Sequence, residues 1–106
     1  MIRYGELDQA ITVYTRGVIH ETIPIEYYRH VIKLAIMMNN NGKQWDMQQS
    51  AAILLHLAFS DGHLKPNHLT ASGLDALDFA EKLLHDNGMV TEQVDNTSTV
   101  ALKLFG

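Results

Sequence analysis

Six histidines stand among the 106 residues of this chain, and no cysteine. Imidazole binds metals and carries protons near neutral pH, so the first question is whether any of the six is spaced for either task. His63 and His68 share a loop with Asp61, and His56 lies just upstream, which allows a His/His/Asp cluster to be drawn. The spacing His56-x6-His63-x4-His68 matches no metal-ligand pattern, however, and there is no His-Glu-x-x-His helix. Solvated surface histidines explain the cluster more simply, and His30 and His85, beside apolar neighbours, read as boundary residues whose tips reach water. Asp61-Gly62-His63 begins like a calcium loop, but Leu64, Pro66 and His68 occupy positions where oxygen ligands are wanted. His56, Ser60 and Asp61 supply the residue types of a triad only as sequence neighbours, with no oxyanion element. Gly-x-Gly-x-x-Gly, P-loop and Gly-x-Ser-x-Gly patterns are missing, so nucleotide cradling and esterase chemistry have no local support. Without cysteine, disulfide scaffolds, thiolate zinc sites and Cys nucleophiles are excluded. No catalytic residue, cofactor or metal is therefore assigned.

What remains is recognition. Asp75, Asp78 and Glu81 project from one helical segment that carries Lys82 as its single basic residue. Among the aromatic residues, Tyr27 points off the apolar face that Tyr28 joins, and Trp45 sits in a loop before a helix cap. Trp45 reads first as a lid over the core; Tyr27 and Trp45 become interface candidates where they are exposed, because aromatic anchors dominate interface energetics.

The element that must position the carboxylates runs from Leu69 to Asn87. Leu74, Leu77, Phe79, Ala80, Leu83 and Leu84 recur at three- and four-residue steps, with Asp75, Asp78, Glu81, Lys82 and Asp86 mostly between them. Thr70 or Ser72 can cap its start, Ser72 with Asp75 as a weak capping box. Asp86-Asn87-Gly88 stops it, and Gly88 is expected at positive φ. From Met89 to Phe105 the period changes to two: Val90 and Val94, then Val100, Leu102 and Leu104, alternate with polar or small residues around the turn Asp95-Asn96-Thr97-Ser98, which predicts a β-hairpin.

A helix ending in Asn-Gly, followed by an apolar strand, a polar turn and a returning strand, resembles the recognition helix and wing of the winged helix-turn-helix superfamily. The resemblance covers residues 46 to 105 and has no diagnostic motif. It implies a three-helix core with a two-stranded wing; the plainer reading is a generic helix packed on a terminal hairpin.

Upstream, Met47 to about Phe59 predicts the central helix. Asp46 and Gln49 form a capping pair, Met47, Ala51, Leu54, Leu55 and Ala58 form a stripe, and Ile53 and Leu57 widen it. A second helix runs from Ile25 to about Asn39, after Pro24 and a capping Thr22, with Ile25, Tyr28, Val31, Ile32, Ala35, Ile36 and Met38 on its apolar face. Residues 6 to 22 are ambiguous between a helix and a hairpin turning at Arg16-Gly17. The pattern favours a short helix from about Glu6 to Arg16, because Leu7, Ala10, Ile11, Tyr14 and Val18 fit one face. Leu54, Leu57, Leu77 and Leu84 are expected in the core.

The predicted fold is thus α+β and mainly helical: three or four helices packed with a C-terminal two-stranded hairpin, in a single domain spanning 1–106. A chain of this length buries roughly 65% of its unfolded surface and can hold a core unaided. The 46% hydrophobic and 19% charged content is ordinary for a globular domain. No apolar run approaches the ~18 residues of a bilayer span, the acidic, polar start is no secretory signal, and a cytoplasmic location is the default expectation. The net charge of −4 lies wholly in residues 60–106, since Lys and Arg balance Asp and Glu in residues 1–59.

Three functions follow. The favoured one is a small non-enzymatic regulatory or interaction protein, binding a basic protein partner through the acidic helix face of Asp75, Asp78 and Glu81. A winged-helix DNA-binding regulator is the first alternative, weakened because those carboxylates would face phosphates. A small enzyme or metal-binding protein is the second. Both a monomer and a homodimer are compatible with the sequence.

Overall fold

The computed structural model describes residues 3–16 and 23–88, and about 72% of it is helix. Among the described residues there are four α-helices, α1 (Tyr4–Thr12), α2 (Ile25–Asn40), α3 (Met47–Ser60) and α4 (Ala71–Asp86), with a 3-10 turn at Pro66–His68. The described residues contain no strand, only an isolated antiparallel bridge between Thr15 and Leu69. The expected α+β class is therefore corrected to all-helical for the described part, and the hairpin assigned to Met89–Phe105 lies outside it, as do Gly17 and the proposed cap Thr22.

Helix α3 is central because its sequence is apolar on every side. Every residue from Ser50 to Ala58 is buried, and α3 packs against each of the other three helices. Its start is fixed by a reciprocal capping box: the Gln49 amide donates to Asp46 Oδ1 and the Asp46 amide to Gln49 Oε1, both at 2.8 Å. Just before it, Trp45 is 5% exposed and belongs to the core, as a lid.

Around this axis α1 contributes Leu7 and Ile11, four residues apart and fully buried. It stops at Thr12 rather than Arg16. The chain then tightens into a turn, the Val13 and Tyr14 amides donating to the carbonyls three residues back, Ala10 and Ile11, and Thr15 leaves it to pair with Leu69. Helix α2 buries Tyr28, Val31, Leu34, Ala35 and Met38, while Ile25 and Ile36, expected on the apolar face, are exposed. Leu34 takes their place, so the buried face is rotated toward it. Tyr28 carries its hydroxyl to Asp8 Oδ1 at 3.0 Å, which joins α1 to α2 inside the packed layer.

Helix α4 is capped by Thr70, whose Oγ1 accepts from the Gly73 amide at 3.1 Å. Gly88 has φ +73°, as expected. The face of α4 differs from expectation: Gly73, Ala76, Ala80 and Leu84 are buried, Leu77 is only partly buried, and Leu74 and Phe79 are exposed. The reason is a close approach. The chain leaving α1 crosses the start of α4, with the Thr70 amide donating to the Tyr14 carbonyl at 3.0 Å, Thr70 Oγ1 to the Val13 carbonyl at 3.1 Å, and the Arg16 amide to the His68 carbonyl at 2.9 Å. A Cβ on Gly73 would fall inside contact distance of the Tyr14 carbonyl oxygen. Only glycine admits the crossing there, and that sets the rotation of α4.

Gly73→Ala should therefore destabilise the protein by about 1–3 kcal/mol through overpacking, although Gly→Ala in an open helix gains up to ~1 kcal/mol. Gly5, helical and with nothing within 4 Å of the point where a Cβ would stand, supplies the opposite case. In urea denaturation Gly5→Ala should hold or raise the midpoint while Gly73→Ala lowers it; equal shifts would refute the crossing as the constraint.

Candidate interaction surface

With α4 rotated in this way, Asp75, Asp78 and Glu81 all lie on its exposed side. Leu74 and Phe79 lie among them, 46% and 45% exposed. Across from them, Val13 at the end of α1 is 63% exposed. Between these helices runs an open groove of about 650 Å³. Ala10 and Ala76 are too short to fill it, Val13, Tyr14, Met47 and Phe79 give it apolar walls, and Gln48, Ser72 and Asp75 add its polar groups. Of the sequence-assigned site residues, Asp75 lines the groove and Asp78 follows one turn along the same helix.

Tyr27 and Trp45 do not join them. Tyr27, at the start of α2, donates its hydroxyl to Asp61 Oδ2 just past the end of α3, and its ring meets that of His63 edge-on with centroids 5.1 Å apart. Burial first, then the hydrogen bond to Asp61, pushes the Tyr27 phenol above its ordinary range, so it stays protonated as a donor. The groove lies at the other end of α3, about 20 Å away at 1.5 Å per residue. Trp45, on the groove's side of α3, is buried.

The histidines disperse in the same way. His63 meets Tyr27 edge-on, and His68 Nδ1 accepts from the Lys65 amide at 3.1 Å. Among the described residues no group of three or more His, Asp or Glu side chains converges on a point a metal could occupy. His56 is the exception to the reading of the histidines as surface residues. It is 8% exposed in α3, and its Nδ1 has no hydrogen-bond partner among the described residues. Burial holds its pKa below the usual 6.5, partly countered by the carboxylate of Glu81 from the acidic side of α4.

Sequence reasoning missed the groove because it followed the leucines. The signal that could have found it is the spacing Gly73-x2-Ala76-x3-Ala80, a stripe of small residues at helical period that lets α4 approach α3 closely and turns the larger Leu74 and Phe79 outward. No family model, curated protein or solved structure matches the chain.

The state of His56 has a measurable consequence. Its folded pKa is depressed, so the neutral form favours folding: the contribution is intact above the unfolded pKa of 6.5 and is lost as pH falls through the lower folded value. Across a pH series, wild type should lose stability relative to His56→Met below about pH 6.5 and run parallel to it above about pH 7. Parallel curves throughout would show that His56 is not held neutral.

Proposed function

We propose that this chain is a small non-enzymatic interaction protein that binds another protein through the exposed side of α4 and the groove beside it. The observation that carries the reading is that the half-exposed Phe79 and the exposed Val13 stand on one concave surface, with Asp75 in its lining. Folding hides such groups where it can, and contiguous apolar patches bordered by polar residues are where partners dock. An aromatic residue at the edge of a pocket has the area to serve as an anchor. Duplex DNA is the competing partner class, and Asp75, Asp78 and Glu81 oppose it because affinity for DNA comes largely from cations that neutralise phosphates. Among the described residues no helix is long and apolar enough to cross a membrane.

Photo-crosslinking in the native host tests the reading. With p-benzoylphenylalanine in place of Phe79, irradiation should give discrete protein adducts, whereas the same residue in place of Arg29, on the exposed side of α2, should not. Equal labelling at the two positions, or adducts that vanish on nuclease treatment, would overturn the proposal. The carboxylates should act on association rather than folding. Replacing Asp75 and Asp78 with Asn and Glu81 with Gln should leave the melting temperature nearly unchanged, since exposed ion pairs contribute ~0–1 kcal/mol. It should also weaken partner capture more at low salt than at moderate salt.

A further inference from the structure

Among the described residues, three helices end on the same two-residue signature, an Asn or Asp at the cap followed by glycine: Asn41-Gly42 after α2, Asp61-Gly62 after α3 and Asn87-Gly88 after α4. Asparagine is chemically labile, most of all before glycine, whose amide has no side chain beside it to block an approach. The glycine nitrogen attacks the side-chain carbonyl carbon of the asparagine. The new N–C bond closes a five-membered succinimide, the bond to the side-chain NH2 breaks, and the amide proton leaves with that group as ammonia. Water then opens the ring at either carbonyl, leaving aspartate or, when the main-chain carbonyl is attacked, isoaspartate. We propose that Asn41-Gly42 is a self-modification site of this kind, reacting in the folded protein ahead of the other two junctions, and that its isoaspartyl product unfastens the end of α2.

Backbone conformation does not separate the three junctions. Asn41, Asp61 and Asn87 hold nearly the same cap geometry, with φ and ψ of −93° and 12°, −86° and 3°, and −101° and 14°. At such a ψ the glycine nitrogen is turned away from the side chain, so the ring closes only when the cap opens, and the rate follows how easily each helix end frays. What differs is the hold on the side chain. Asp61 accepts from the Tyr27 hydroxyl, and its carboxyl would have to expel water rather than ammonia. Asn87 is partly buried and donates its Nδ2 to the Leu83 carbonyl at 2.9 Å. Asn41 is exposed, and its carboxamide has no hydrogen-bond partner among the described residues.

The product matters because of what this cap fastens. The Gly42 amide donates to the Asn39 carbonyl at 3.1 Å and the Lys43 amide to the Met38 carbonyl at 2.9 Å, satisfying carbonyls that the helix itself leaves open. Isoaspartate routes the chain through the former side chain, and the extra methylene shifts both amides off their acceptors. The carboxylate it leaves behind stands at the negative end of the α2 dipole. Beyond the cap only Gln44 precedes Trp45, which is 5% exposed and part of the core. Ordinary aspartate adds the same charge without the methylene, and Asp61 occupies the same cap conformation at the end of α3.

The test incubates the full chain, folded and urea-unfolded side by side, in mildly alkaline buffer made with heavy-oxygen water. Peptide mapping by mass spectrometry locates the incorporated oxygen, and labelling by an isoaspartyl methyltransferase measures isoaspartate. Unfolded, Asn41 and Asn87 should react at comparable rates; folded, Asn41 should react several-fold faster than Asn87, with Asp61 unlabelled. Emission of Trp45, the single tryptophan of the chain, should move to the red and the melting temperature should fall in step with isoaspartate at Asn41. Asn41→Ser, which has no carboxamide to lose, should keep its emission over the same period, and fresh Asn41→Asp should match fresh wild type. A folded rate ratio equal to the unfolded one, or Asn87 reacting first, overturns the selection of Asn41. Isoaspartate at Asn41 with emission and melt unchanged, or the same red shift in fresh Asn41→Asp, overturns the unfastening of α2.

Discussion

The constraint on which the rest depends is the crossing of the Tyr14 carbonyl over Gly73. A helix facing a core can rotate to bury whichever side chains gain most, and on that criterion α4 would turn Phe79 inward. It does not, because backbone passes where a Cβ would otherwise stand. The same crossing places the Thr70 cap, joins Thr15 to Leu69, and brings the end of α1 beside the start of α4. Three features that look separate, a helix cap, an isolated bridge and an exposed apolar face, are outcomes of one approach between two backbones.

The electrostatics follow from that rotation. Once Gly73, Ala76 and Ala80 face α3, the residues a third to a half turn away are Asp75, Asp78 and Glu81, and they face water. None of them has to be buried to keep the helix in place. Glu81 touches the interior only through its field, which favours the charged form of His56 against the burial that opposes it. The acidic side of α4 is thus free of structural duty, a condition under which a charged surface can be shaped for encounter with a partner.

How much of this was legible in the sequence depends on which physical term governs each element. The Asp46/Gln49 cap, the centrality of α3, the place of Trp45 as a lid and the positive φ of Gly88 are local or composition-driven, and they read directly from residue type and spacing. Leu54, Leu57 and Leu84 are buried as their stripes implied, while Leu77 is only partly so. The elements that misread are those decided by tertiary approach. α1 ends at Thr12 because its continuation is needed for the crossing, and α2 favours Leu34 over Ile25 and Ile36. Tyr27 is held by Asp61, a pairing across 34 residues that no local pattern announces. The three carboxylates were found on the exposed side although the leucines beside them were misphased, since charge avoids the core under either rotation. The groove was not legible, because it is made by what Ala10 and Ala76 lack.

The exposure of Phe79 is the point at which packing and recognition meet. Burying a phenylalanine fully gains ~1.5–3 kcal/mol over leaving it in water, so a half-exposed one forgoes a sizeable fraction of that. Recovering it by rotating α4 would swing Gly73 out from under the Tyr14 carbonyl and bring a side chain there instead, at a cost of similar size. The helix therefore stays where the two terms balance, with its largest apolar side chain at the edge of an open groove. A partner that covers Phe79 supplies the missing burial without disturbing the crossing. The proposed association would draw on the part of the hydrophobic term that the fold, held by its own backbone geometry, is unable to use.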